Sequence, residues 1–264
     1  MSSKIITLTT DFGLRDPYVA EMKAVILSIC PTAVIVDVTH EVDKFKTRIG
    51  AYVLASAASY FPKGTVHVAV VDPGVGTQRR AILMQTKQGF FIGPDNGLLV
   101  LAAKKQGITA VHEITNPKVM LPKVSSTFHG RDVFAPAAAH LANGVASTEF
   151  GIEIQDFVKP EFVKVTRGKG AVAGVVLHVD NFGNVITNIS EQEAEGFNTG
   201  DFVDVELGDS KLKLKLVKAY GETKPQEPLA LIGSHGYLEI ALNQGNAAKM
   251  FQVRLGDTVK FSKS

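Results

Sequence analysis

Residues 66–80, VHVAVVDPGVGTQRR, constrain this chain more than any other stretch. The run 66–71 is apolar and β-branched apart from His67, which is the pattern of a strand buried on both faces. Pro73 has no amide hydrogen to give a ladder, so the sheet must stop there. In an open α/β sheet, ligands bind in the crevice beyond the carboxyl ends of the strands, and Asp72 stands at that mouth. Gly74 and Gly76 let the backbone reverse sharply and bring Arg79 back to the same crevice. An acceptor and a fork of donors placed this way can hold a small polar molecule between them. The plain alternative is an aspartate that caps a turn beside a surface arginine.

The pattern before and after this strand alternates. Residues 5–9 read as a strand that ends in Thr10-Asp11-Phe12-Gly13, and Asp16-Pro17 opens a helix to Ile29, with Asp as cap and Pro in the first turn. Asp11 and Asp16 flank this strand-to-helix loop. Two carboxylates there suit a diol or a cation, because the helix N-terminus that would draw an anion already has acidic company. Taken alone, Asp16 reads first as a plain helix cap. A second buried strand is expected over 33–39 and an Ala-rich helix over 45–60, a spacing that gives parallel strands with right-handed crossovers. A hairpin follows over 81–86 and 90–92. Gly93-Pro94-Asp95-Asn96-Gly97 then leads to a helix over 98–106, with Asn96 a candidate ligand contact. Residues 119–128 read as extended, and the helix 133–143 follows His129-Gly130. His129 is thus placed like Asp72, at a crevice edge, whereas His67 and His140 read as packed structural histidines.

Helical patterning is lost after Asn143, and Gly168-Lys169-Gly170 reads as a linker into an all-β domain. Strands are expected over 172–179, 184–189, 201–207, 211–217, 229–232, 237–241 and 258–261, enough for a small barrel. The expected fold is α/β: a mostly parallel sheet flanked by helices over residues 1–164, then a smaller all-β barrel over 165–264. Asp180-Asn181-Phe182-Gly183-Asn184 offers a carboxylate, an aromatic face and amides, a set that can stack a purine and hydrogen-bond its edge. Ser234-His235-Gly236, with Glu239 behind it, is a second polar loop, and either loop alone reads equally as an ordinary turn.

Lys plus Arg number 28 against 26 for Asp plus Glu, with no long basic run, which argues against nucleic acid as a partner. A single cysteine, Cys30, excludes an internal disulfide and a Cys-rich metal site. No His and carboxylate pair shows metal-ligand spacing, so no metal is expected. Neither a signal peptide nor an apolar run near about eighteen residues is present, and a soluble cytoplasmic protein with no membrane partner is expected.

The ordered set TDFG, DPGVGTQRR, GPDNGLL, FHGRD, DNFGN and GSHGYLEIA resembles the S-adenosylmethionine hydroxide adenosyltransferase family, relatives of the fluorinase and chlorinase enzymes, from about Ile5 to the C-terminus. The resemblance implies a homotrimer whose ligand lies between the N-terminal domain of one subunit and the barrel of its neighbour. It implies a catalytic triad of Asp72, Arg79 and His129, with a ribose-binding carboxylate at Asp11. Methionine-end contacts fall on Asp16, Asp180 and Ser234, and adenine contacts on Phe182 and Asn184, with Tyr220 as an aromatic cover. Glu239 is included among the substrate-binding residues. His235 stands where the fluorinase has an arginine. The halogenating enzymes carry Tyr in the places of Asp72 and His129, Ser in the place of Gly130, and an inserted loop in the hairpin that here is only 87–89.

Those departures favour water over a halide, since a carboxylate at Asp72 repels an anion. The expected reaction is hydrolysis of S-adenosyl-L-methionine to adenosine and L-methionine by attack at C5′, with no cofactor. In it Asp72 orients the water, Arg79 stabilises hydroxide and His129 takes the proton. A halide-using adenosyltransferase and a non-catalytic nucleoside or S-adenosylmethionine binding protein are the alternatives.

Overall fold

The computed structural model describes residues 4–264. The chain forms two compact units that divide between Pro160 and Glu161. The sequence expectation put the boundary at 164/165. Residues 161–164 belong with the second unit because the Asn188 side-chain amide donates to the carbonyls of Phe162 and Lys164 at 2.9 and 2.8 Å.

The first unit runs β1 (Ile5–Thr10), α1 (Tyr18–Ile29), β2 (Val34–Thr39), α2 (Thr47–Ala58), β3 (Val66–Val70), β4 (Ala81–Thr86), β5 (Phe90–Pro94), α3 (Val100–Gln106), β6 (Ile108–Glu113) and α4 (Ala135–Ala142). Its sheet has the order β2-β1-β3-β5-β4-β6, parallel from β2 to β5, with β4 antiparallel to both neighbours. All five residues of β3 are buried between β1 and β5, as an unbroken apolar run requires, and the strand ends two residues before Asp72. Met22 and Ile26 of α1 join Phe134, Ala137, Ala138 and Leu141 in the core over β1 and β3, while α2 packs on α3.

Several local expectations change. β2 is an edge strand paired only with β1, so it is half-exposed, with Val34 at 52%, instead of buried. β6 is an addition to the expected elements: Ile108–Glu113 pairs with β4, and the segment beyond residue 149 covers its outer edge through Glu113 N to Ile152 O (2.9 Å) and Ile154 N to Val111 O (2.8 Å). Helix α1 begins at Tyr18, and no side chain caps it, so Asp16 is not its cap. The segment 119–128 forms no strand; a 3-10 turn, Pro117–Val119, precedes it. The helix expected over 133–143 opens with a π-turn, Gly130–Phe134, before α4.

The second unit contains β7 (Thr166–Gly168), β8 (Ala171–Val179), β9 (Val185–Ser190), β10 (Phe202–Leu207), β11 (Ser210–Leu216), β12 (Pro228–Ile232), β13 (Tyr237–Leu242), α5 (Ala247–Met250) and β14 (Thr258–Lys263). Seven strands, β8 through β14, close into a barrel through the β14–β8 pairing, and β7 pairs with β8 beside it. Gly168-Lys169-Gly170 is therefore a turn inside this unit and not a linker. The Lys-Leu alternation of β11 turns Leu214 and Leu216 inward. Two of its lysines stand opposite acidic residues of β10, Lys213 across from Asp204 and Lys211 across from Glu206, while Lys215 stands opposite Phe202. Among the described residues, no helix is long and apolar enough to cross a membrane.

His67 sits in the middle of β3, its ring stacked on Phe91 at 4.8 Å between centroids and its Nδ1 2.8 Å from Thr7 Oγ1. Burial pushes its pKa down from 6.5 to about 4. The unfolded chain therefore takes up this proton first, so the stabilisation is full above about pH 6.5 and is lost as pH falls toward 4. Denaturant titrations should show a loss of up to about 3 kcal/mol across that window, and His67→Asn should flatten this part of the dependence.

Candidate active site

The turn after β3 is closed by its own backbone, with Val75 N donating to Asp72 O and Thr77 N to Gly74 O at 3.3 and 3.2 Å. Gly76 takes φ +75°, and a Cβ there would lie 2.1 Å from the Ser126 carbonyl oxygen, so this turn lies against the segment that leads to His129. Asn96 belongs to this scaffold: its amide donates to Val71 O at 2.9 Å and its oxygen accepts from Leu98 N at 3.1 Å, which makes it a brace for the strand end.

Three side chains converge on this turn. Arg79 Nε donates to both oxygens of Asp72, at 3.1 and 2.9 Å, and its Nη2 also meets Asp72 Oδ2. The same Nη2 lies 2.9 Å from His129 Nδ1, and the guanidinium carbon sits 5.2 Å from the centre of the Phe134 ring. The Asp72 and Arg79 side chains are only 5% and 10% exposed. Since a guanidinium only donates, His129 Nδ1 is the acceptor, and the neutral ring carries its proton on Nε2. Burial lowers the His129 pKa below its ordinary value and the Arg79 charge lowers it further, while Asp72 and Asp132 pull the other way.

Asp72 and His129 line a cleft of about 400 Å3 together with Asp11, Asp16, Tyr18 and Phe45. Arg79 joins the two from beside it. Asp11 is buried at the end of β1, and its Oδ2 accepts from Phe45 N at 2.8 Å. The loop that carries it is tied down by Thr10 Oγ1, which contacts His40 Nδ1 at 2.9 Å and accepts from Phe12 N at 3.2 Å. Asp16 is exposed at the rim. Phe12, Tyr18 and Phe128 form an aromatic wall, with ring centres 5.1 to 5.9 Å apart.

Tyr18, Phe45 and Phe128 are lining residues that the sequence reading missed. Phe45 holds φ +66°, uncommon for a residue with a side chain, and its ring is 67% exposed. A bulky aromatic between Lys44 and Lys46 was its only trace in the sequence.

The remaining candidates stand on the second unit, around a cleft of about 770 Å3 lined by Asp180, Phe182, Asn184, Tyr220, Ser234 and Asn246. Asp180 Oδ1 accepts from the backbone N–H groups of Phe182 and Asn184, both at 2.9 Å, and Oδ2 accepts from the Asn184 side chain at 2.9 Å. This carboxylate therefore builds the loop that presents Phe182, whose ring is 77% exposed. Tyr220 OH donates to Glu239 Oε2 at 3.0 Å. Glu239 does not line the cleft. It is buried against Gly233, whose Cβ would fall 1.7 Å from Oε1, and burial raises its pKa to about 6. Its place is behind Tyr220 and the Ser234 turn. Among the described residues, no group of three or more His, Cys, Asp or Glu side chains is placed to hold a metal ion.

The contact between the 72–79 turn and Ser126 can be isolated with two glycines. Gly64 also has positive φ, +87°, but a Cβ there meets nothing within 4 Å. Gly76→Ala should cost about 1–3 kcal/mol more than Gly64→Ala in denaturant unfolding, because it adds a backbone clash to the same conformational penalty.

Residues 6–151 match the SAM hydroxide adenosyltransferase N-terminal domain, and residues 174–260 match the corresponding C-terminal domain. A Methanocaldococcus jannaschii protein named (R)-S-adenosyl-L-methionine hydrolase is 40% identical over 266 aligned positions, covering 97% of this chain and 95% of that protein. A fluorinase from an Actinoplanes species is 31% identical, covering 98% of each. The crystal structure of an uncharacterized conserved protein from Thermotoga maritima superposes with a TM-score of 0.87 at 40% identity, covering 98% of this chain and all of that one. With both domains matched and that identity sustained over nearly the whole length, the chain belongs to the SAM hydroxide adenosyltransferase family.

Proposed function

We propose that this protein hydrolyses S-adenosyl-L-methionine to adenosine and L-methionine, by attack of a water-derived oxygen at C5′. The observation that carries this reading is the Arg79 guanidinium shared between Asp72 and His129 at one cleft, in a chain 40% identical to a protein named for that reaction. S-Adenosylmethionine is the substrate and no cofactor takes part.

Asp11, with one oxygen engaged by Phe45 N, offers the other to a ribose diol. Asp72 accepts an O–H of the attacking water and fixes its line of approach; good alignment of this kind can contribute up to about 7–11 kcal/mol. His129 Nδ1 is engaged by Arg79 in the structure, so the water must displace Nη2 to reach it. The exchange does two things: the ring gains the proton, and the freed guanidinium donor turns to the forming hydroxide. The leaving sulfonium becomes a neutral thioether and needs no acid. The wall of Phe12, Tyr18 and Phe128 suits that loss of charge.

The active form is a cytoplasmic homotrimer in which the Asp72 cleft of one subunit is completed by Phe182, Asn184, Tyr220 and Ser234 of a neighbour. Family membership and the outward-facing Phe182 ring support this assembly. Sedimentation equilibrium should give about three times the 28.3 kDa chain mass.

Reaction in 18O-labelled water should place the label on the 5′ oxygen of adenosine. Unlabelled adenosine, or none, would defeat the proposal. Asp72→Ala should lower turnover about a hundredfold or more, whereas a protein that only binds the molecule would lose affinity alone. Because the neutral ring is the acceptor and its pKa lies below 6.5, the rate should be level through neutrality and fall only in acid.

A further inference from the structure

Asp132 lies three residues past His129 and outside the cleft, and its side chain is fully buried. Its carboxylate ties two pieces of chain together. Oδ2 accepts from Ser125 N at 2.8 Å, and Oδ1 accepts from Arg131 Nε at 2.7 Å. The backbone repeats the tie: Leu121 N donates to Asp132 O at 2.9 Å, and Asp132 N to Phe128 O at 3.1 Å. Ser125 Oγ in turn accepts from Phe128 N at 3.2 Å. The 121–128 segment is therefore pinned to the π-turn that starts after His129, and the same segment sets Ser126 O against Gly76 of the Arg79 turn. Arg131 reaches on to Glu21 of α1 at 2.8 Å and lies over the Phe128 ring at 5.0 Å.

The geometry points to Asp132 as the positioning residue of this site: it holds the 121–128 segment against the two catalytic turns, and its buried charge acts on the His129 ring. Other charged groups stand around the same cleft and turn. Asp72 and Arg79 come from the β3–β4 turn, Asp11 and Asp16 from the β1–α1 loop and Lys44 from the β2–α2 loop, while Arg131 lies on the π-turn after His129 with Glu21 behind it. Burial opposes the Asp132 charge, but the bonds from Arg131 and Ser125 prevail and hold its pKa below the ordinary carboxyl value, so the group is ionised at neutral pH. An anion here favours the protonated ring and partly offsets Arg79, which makes His129 a stronger proton acceptor than burial beside a guanidinium would leave it.

The consequence for turnover rests on the function proposed above; the effect on the ring does not. Two substitutions push in opposite directions. Asp132→Asn keeps an acceptor for Ser125 N and removes the negative charge, so the His129 titration midpoint should fall. Arg131→Gln removes the neighbouring positive charge, and the bond from Ser125 N still favours the ionised Asp132, so the midpoint should rise. The ring resonances of His129 are read by NMR, assigned by their loss in His129→Asn. In Asp132→Asn, kcat at neutral pH should drop about two- to tenfold with little change in KM, since Asp132 does not meet the substrate. The acid limb of the rate profile should follow the ring in each variant.

Midpoints that stay at the wild-type value, or that move the same way in both variants, would overturn the assignment. If only one variant folds, the direction of its shift decides. A ring that moves as expected while the acid limb stays still would uphold the action of Asp132 on His129 and remove His129 from proton transfer.

Discussion

A guanidinium with almost no water around it stands between a carboxylate and an imidazole, and the first unit is arranged to keep it there. Arg79 must be paired, because an unpartnered cation at 10% exposure would cost several kcal/mol, and Asp72 supplies the charge that offsets it. The pairing is two-pronged, Nε and Nη2 both reaching Asp72, so it fixes the plane of the guanidinium as well as its position. That plane aims Nη2 at His129 Nδ1. Lysine, a point charge without a fork, cannot reproduce this.

Each member of the trio is set by a different kind of local structure. Asp72 is carried by the end of a strand that cannot shift, because both its faces and both its edges are covered. Arg79 depends on a turn that passes through a left-handed glycine and lies against another chain segment. His129 precedes a π-turn, a geometry often found at functional sites because it redirects a side chain without breaking the helix. None of these supports is itself reactive. Their common product is a cleft with one engaged oxygen on Asp11, a second carboxylate at Asp72 and an aromatic wall, which matches a ligand that carries a diol and a positive sulfur.

In the second unit a carboxylate is used differently. Asp180 spends its lone pairs on the loop that follows it and Glu239 is held behind Tyr220, so both act by shaping what the cleft presents. The exposed Phe182 ring is the result. A large aromatic held out by a rigid five-residue turn is a ready surface for stacking.

Much of this was legible in the residue order. The buried strand 66–71, its stop at Asp72-Pro73 and the alternation of β11 follow from rules that act within a few residues of each other. The candidates Asp11, Asp72, Arg79 and His129 were found because each lies beside a turn signal. What the sequence could not decide depends on distant partners. β2 is exposed because nothing pairs with its outer edge, and β6 is a strand because β4 is there to pair with it. Gly168-Lys169-Gly170 is a turn because β7 finds β8, and Phe45 became a lining residue only when Asp11 accepted its N–H from 34 residues away. Local chemistry determined where the chain turns and which reactive groups stand at the turns. Tertiary packing alone decided that Arg79 would face His129 across 50 residues of chain, and that Asp132 would lie buried behind them.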